Sequence, residues 1–148
     1  MKGSYLLLIR LRRSEIMRIG KLYITAFPRG FYAYSGSGRN GLEARIGRHL
    51  KRDKTCHWHI DYFLQKAEVE KVFLWQTDER LECLIAQALS QDFQCVRGFG
   101  CSDCRCHSHL AFSGQRAKLE SRILAIVNQT GLNCQIFRNK ELIHDFRV

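Results

Sequence analysis

An unbroken apolar run, Tyr5-Leu6-Leu7-Leu8-Ile9, stands near the start of the chain, and it limits what can be built around it. A membrane-crossing helix needs roughly 20 consecutive apolar residues. This run is far shorter and meets Arg10, Arg12 and Arg13 at once. The same arginines, with no small-residue cleavage site after them, argue against an export signal. The run reads instead as a buried strand over residues 4–11. The expectation is a cytoplasmic protein with no membrane partner.

The rest of the chain supplies partners for that strand. Residues 18–25 alternate and predict a second strand beyond a polar turn at Arg13-Ser14-Glu15. Pro28-Arg29-Gly30 punctuates the chain. Phe31-Tyr32-Ala33-Tyr34 predicts a third short strand running into Ser35-Gly36-Ser37-Gly38-Arg39-Asn40-Gly41. That loop is small enough for close backbone approach to a phosphate. Leu42, Ile46 and Leu50 recur at helical spacing and predict a helix over 42–52, with Arg45 and His49 on its flank. A second helix is expected over 57–66, a buried strand over 69–75, and a third helix over 78–90 with Leu81, Leu84, Ile85, Ala88 and Leu89 inside. A Gly- and Cys-rich loop spans 97–109, followed by the apolar Leu110-Ala111-Phe112.

This order of elements is α+β. It predicts a domain over 1–113 and a short C-terminal α/β extension over 114–148, read as a helix at 116–128 and a hairpin of 134–137 with 142–146. The extension's role is not legible. A 45% apolar content and a single proline exclude a disordered chain.

Charge gives the first functional clue. Residues 1–60 hold 13 Lys and Arg against three acids, whereas residues 61–148 hold 11 of each, so the whole net charge of +10 sits in the first part. A field of that kind draws in polyanions through phosphate contacts and counterion release. A merely soluble basic protein is the plain alternative.

Within and just beyond the basic part stand Gly3-Ser4-Tyr5, Tyr34-Ser35-Gly36, Arg45 and His49 four residues apart, and Leu81-Glu82. In this order they resemble the GIY-YIG nuclease superfamily, and more closely its Uri-type branch. Phe31 to Gly38, His57 to Tyr62 and Gly98 to Cys106 carry the closer likeness, which covers about residues 3–113. Both motifs have Ser where Ile is usual. The resemblance implies a small, mainly antiparallel sheet flanked by helices and a metal-dependent endonuclease. It implies that Tyr5, Tyr34, Arg45, His49 and Glu82 are catalytic, with Glu82 binding one Mg²⁺ or Mn²⁺.

Elementary chemistry agrees with those roles. Phosphodiester hydrolysis needs a base for water, a cation for developing charge and help for the leaving group. Glu82 lies at the edge of an apolar stripe, where a carboxylate is costly unless paired or metal-bound. Magnesium keeps several waters and needs only one or two protein carboxylates. Arg45 can grip a phosphate bidentately. Tyr5 can take a proton from water if nearby positive charge lowers its phenol, with Tyr34 and His49 positioning or relaying it. Taken singly, each has an ordinary reading as core tyrosine, solvated arginine or salt-bridged glutamate.

Arg39, Arg48, Lys51, Arg52, His57 and His59 are the expected nucleic-acid contacts, DNA ahead of RNA, and Asp61 a supporting partner. A nuclease-like fold that grips nucleic acid without cutting is the rival reading, although such a binder has no use for Glu82. Oligomeric state is not legible. Cys101, Cys104, Cys106 and His109 have ligand-like spacing for structural zinc, set against a loop of buried thiols. A zinc-stabilised interaction protein is the weakest option.

Overall fold

The computed structural model describes residues 2–20, 23–101, 104–138, 141–142 and 146. Strand β1 (Gly3–Leu11) carries the apolar run and lies inside a six-stranded sheet. It is flanked by β4 (Gly30–Gly38) and β5 (Glu68–Gln76). The full order is β6-β7-β4-β1-β5-β8, with β6 (Gln94–Cys95), β7 (Leu110–Ser113) and β8 (Gln135–Arg138) toward the edges. Every pairing is antiparallel. The fold is therefore α+β, with a mainly antiparallel sheet.

The run is apolar throughout because both faces of β1 are covered. Side chains alternate across a strand. Tyr5, Leu7, Ile9 and Leu11 enter one core, with α1 (Leu42–Leu50) and α2 (His59–Phe63). Leu6 and Leu8 enter the other, with α3 (Glu82–Ser90) and α4 (Arg116–Thr130). At about 25 cal/mol per Å² of apolar surface, this double burial makes β1 the natural centre of the sheet.

Several expectations are corrected. The single strand over 18–25 is a hairpin of β2 (Glu15–Ile19) and β3 (Tyr23–Phe27), which forms its own two-stranded sheet. The break comes at Gly20, whose φ of 53° suits a residue without a Cβ. The Ser/Gly stretch is not a loop up to Gly38, because β4 continues through it and pairs with β1 from Gly30 to Gly38. Leu84 is 57% exposed rather than inside. Of the expected hairpin over 134–137 and 142–146, Gln135–Arg138 is strand β8 and pairs with β5. Leu142 of that second segment is helical and buried, and residues 143–145 lie outside the described residues. Residues 114–138 thus supply a covering helix and an edge strand to the same sheet.

Candidate functional site

Register brings the two tyrosine motifs together. Tyr5 stands opposite Gly36 and Leu7 opposite Tyr34. Tyr5 and Tyr34 are therefore diagonal neighbours on one face, with ring centroids 6.4 Å apart. The β2–β3 hairpin accommodates the long intervening segment without disturbing this pairing. Gly36 is required here: a Cβ on it would stand 2.5 Å from the Tyr5 hydroxyl.

Helix α1 lies over that face. Its stripe of Leu42 and Ile46 is buried, which turns Arg45 and His49 toward the tyrosines. Arg45 Nε donates to Tyr5 Oη at 3.1 Å. Tyr5 Oη and His49 Nε2 are 2.6 Å apart. Burial lowers the His49 pKa to about 3, with the Arg45 and Lys54 charges adding to it. His49 is therefore neutral; in the tautomer protonated at Nδ1, which has no hydrogen-bond partner among the described residues, its Nε2 accepts the Tyr5 O–H. The result is a directed chain from guanidinium to phenol to imidazole.

The phenols do not behave as free bases. Burial pushes the Tyr5 phenol well above its ordinary range, and the lowering effect of Arg45 does not offset it. Burial likewise raises Tyr34 to about 12. The Arg45 charge alone thus does not activate Tyr5 in this arrangement, where its buried hydroxyl is held protonated. The Arg45 guanidinium also lies 4.5 Å from the centroid of the Trp58 ring, a cation–π contact. Trp58 is a site residue that residue type alone did not single out.

A cavity of about 490 Å³ opens beside this array, lined among others by Tyr34, Arg39, Arg45, Arg80 and Glu82. Tyr5 and His49 do not line it; they stand behind Tyr34 and Arg45. Glu82 reaches it from the first residue of α3. Ser35 Oγ donates to the Glu82 carbonyl at 2.9 Å, and the Leu81 amide donates to Ser4 Oγ at 3.0 Å. These bonds tie the start of α3 to both motif strands. Glu82 Oε2 is buried and has no hydrogen-bond partner among the described residues, the state in which a carboxylate oxygen suits a cation. Arg80, exposed at the mouth, was missed by sequence reasoning, although it stands just before Leu81-Glu82.

The expected nucleic-acid contacts divide. Arg39 lines the cavity. Lys51 is exposed in a neighbouring hollow with Arg48 and Lys54. Arg48 is instead ion-paired, donating to Asp61 Oδ2 at 3.0 Å. Arg52 stands 3.9 Å from Glu68. Asp61 is fully buried and also accepts the His57 and Trp58 amides at 2.8 and 2.9 Å. Burial raises its pKa, but those amides and Arg48 outweigh it, and the carboxyl is held below its ordinary value. Lys54 Nζ donates to the Arg48 and His49 carbonyls, closing the end of α1, and sits 3.8 Å from Asp61. Asp61 therefore anchors the site's supporting cations. The His57 ring packs on Trp58, exposed. His59 Nδ1 accepts the Gly100 amide at 2.9 Å and does not line the cavity, so it faces the Cys loop instead.

The Cys/His expectation changes membership. Cys83, Cys104, Cys106 and His109 bring their ligand atoms within 4.8 Å of one another. Cys101 is not in the group; its Sγ donates to the Phe99 carbonyl. Burial raises the Cys83 and Cys106 thiols, and contacts among the cluster's own thiols contribute. Cys83 comes from α3, so spacing within the loop could not reveal it.

Among the described residues, no helix is long and apolar enough to cross a membrane. No curated protein and no solved structure matches the chain. One family model, described as Domain of unknown function DUF123, matches residues 4–132, and the chain belongs to that family.

Proposed function

We propose that this chain is a metal-dependent endonuclease of the GIY-YIG type, Uri-like, acting on nucleic acid and on DNA ahead of RNA. The observation that carries the reading is the meeting of the Arg45–Tyr5–His49 chain with a cavity lined by Tyr34, two further arginines and Glu82, whose Oε2 is buried with no hydrogen-bond partner among the described residues.

In this reading Arg39, Arg45 and Arg80 take the phosphate oxygens, and Arg45 offers the bidentate grip. Glu82 would hold Mg²⁺ or Mn²⁺, whose Lewis acidity would polarise a phosphoryl oxygen. His49, neutral and shielded, orients the Tyr5 hydroxyl; it takes up a proton only if a bound phosphate offsets the Arg45 charge that helps to hold its pKa down. Tyr5 stands behind Tyr34 and Arg45, so a water in the cavity would reach its oxygen, and pass a proton on toward His49 Nε2, only once a phosphate had drawn the Arg45 guanidinium away. Tyr34, neutral at the cavity wall, orients that water by hydrogen bonding.

The second reading, a module that grips nucleic acid without cutting, is favoured by one observation: Tyr5 is fully buried. Incubation with labelled DNA and RNA structures in Mg²⁺, Mn²⁺ or EDTA separates the two. The nuclease cleaves with metal only, and Glu82→Ala and Arg45→Ala abolish cleavage while the Glu82 variant still binds. Wild-type-like cleavage by either variant would sink the assignment; no cleavage of any substrate would leave the binding module.

A further inference from the structure

We infer that Cys83, Cys104, Cys106 and His109 form a closed structural zinc site that pins the Gly/Cys loop to the first turn of α3. The inference goes beyond the nuclease reading and does not depend on it.

The geometry is close to what zinc needs. With Zn–S near 2.3 Å and Zn–N near 2.0–2.1 Å, a tetrahedral site places sulfur and nitrogen ligands about 3.6 Å apart, and two sulfurs about 3.8 Å apart. His109 Nε2 stands 3.2 Å from Cys104 Sγ and 3.8 Å from Cys83 Sγ. All four ligand atoms lie within 4.8 Å of one another. Three sulfurs and one imidazole form a complete tetrahedral set with no position left for water, which marks a structural site and not a catalytic one.

The histidine is prepared for this role from behind. His109 is buried, and its Nδ1 lies 3.1 Å from the Ser35 carbonyl oxygen. An Nδ1–H donating to that carbonyl leaves Nε2 unprotonated and aimed at the thiols. A metal-bound histidine ordinarily has this second hydrogen bond. The Ser35 amide in turn donates to the His109 carbonyl at 3.1 Å. The ligand is thus fixed at both ring and backbone.

Cys104 to His109 form no regular element, so the loop lacks a ladder to hold its shape. Cys83 stands on α3, and a shared ion is a direct tie between these segments. A loop of buried thiols, the alternative, accounts for sulfur burial but not for three thiols converging on one unprotonated nitrogen. On binding Zn²⁺ the three thiols release three protons, leaving a zinc–trithiolate–imidazole unit of net charge −1. Glu82 immediately precedes Cys83, so the same ion would set the pitch of the turn that carries Glu82.

The full-length chain, purified without added metal, is expected to hold about one zinc per molecule. Replacing zinc by cobalt should give the thiolate-to-metal absorption and intense visible bands of a tetrahedral site. Cys83→Ser should lose stoichiometric metal, whereas Cys101→Ser should retain it. Because Cys83→Ser can also unfold the loop, alkylation of the wild-type protein supplies a second reading. Cys83, Cys104 and Cys106 should react markedly faster after chelation than before, whereas the labelling of Cys101 should not depend on chelator. Absence of zinc and of a cobalt–thiolate spectrum, a disulfide within the cluster, equal labelling of all four cysteines before chelation, or metal loss in Cys101→Ser would each overturn the site. These readouts involve no nucleic acid, so failure of the nuclease proposal leaves them intact.

Discussion

Acid should destabilise this protein through His49 in a way that one substitution removes. The imidazole is 2% exposed, stands 2.6 Å from the Tyr5 hydroxyl, and faces Arg45, Lys54 and Arg48, against which Asp61 favours its protonation. Its pKa is near 6.5 in the unfolded chain and about 3 when folded. Protonation therefore favours unfolding. The stability that neutral His49 contributes is complete above pH 6.5 and is lost as pH falls toward 3. Between those limits the unfolded state holds one more proton than the folded, a slope of about 1.4 kcal/mol per pH unit. Over the whole window this amounts to roughly 4–5 kcal/mol, against a total stability of about 5–15 kcal/mol for an ordinary domain. His49→Gln keeps an acceptor near the Nε2 position and cannot titrate. Urea unfolding from pH 7 to pH 4.5, followed by circular dichroism, measures both proteins. The variant loses some stability at pH 7, but the wild type should fall more steeply on acidification, by about 1.4 kcal/mol per unit. His59 and His109, also lowered by burial, contribute equally to both curves. Parallel curves would refute the claim that His49 is held neutral by its surroundings.

Two further substitutions probe the support of the site. Asp61→Asn removes the charge facing Lys54, which is 4% exposed, and Arg48, which is 33% exposed. Breaking a buried pair from one side costs about 3 kcal/mol at the lower end, so the melting temperature should drop by roughly 6–12 °C for a chain of this size; an unchanged melt would show that Asp61 anchors nothing. Gly36→Ala sets a methyl 2.5 Å from the Tyr5 hydroxyl. Overpacking of this kind costs about 1–3 kcal/mol, and Tyr5 is forced off His49. A thermal melt matching wild type would mean that the two strands are not in the register described.

The sequence was most legible where one physical demand governed a segment. The apolar run could be satisfied only by burial, and it became the inner strand β1. Leu42, Ile46, Arg45 and His49 were readable because helical spacing fixed which side chains share a face. Legibility failed where one residue pattern served two ends. Alternation across Gly20 looked continuous, because a glycine turn leaves the apolar spacing unbroken. Ser35 to Gly38 looked like a phosphate loop, yet their small size serves packing: Cβ atoms on Gly36 and Gly38 would crowd Tyr5 and Leu42. Cys83 and Arg80 were invisible as site members, because α3 brings them to the cavity from outside any local motif. The basic half of the chain was counted correctly, but pairing was not foreseen: Glu68, Glu70 and Asp61 neutralise part of it across β5 and α2.

The central position of β1 also bears on how the chain reaches its fold. Leu7 pairs with Tyr34 on one side and Val72 on the other, so neither edge of this strand is closed by a local turn. Such long-range pairing slows folding, because chain entropy is lost before contacts reward it. Until β5 arrives, the most apolar strand of the molecule has an open edge, the form most prone to join a second chain. The segment that organises the finished protein is thus also its main hazard during assembly. Expression at low temperature, or with a holdase chaperone, acts on that interval and not on the native state.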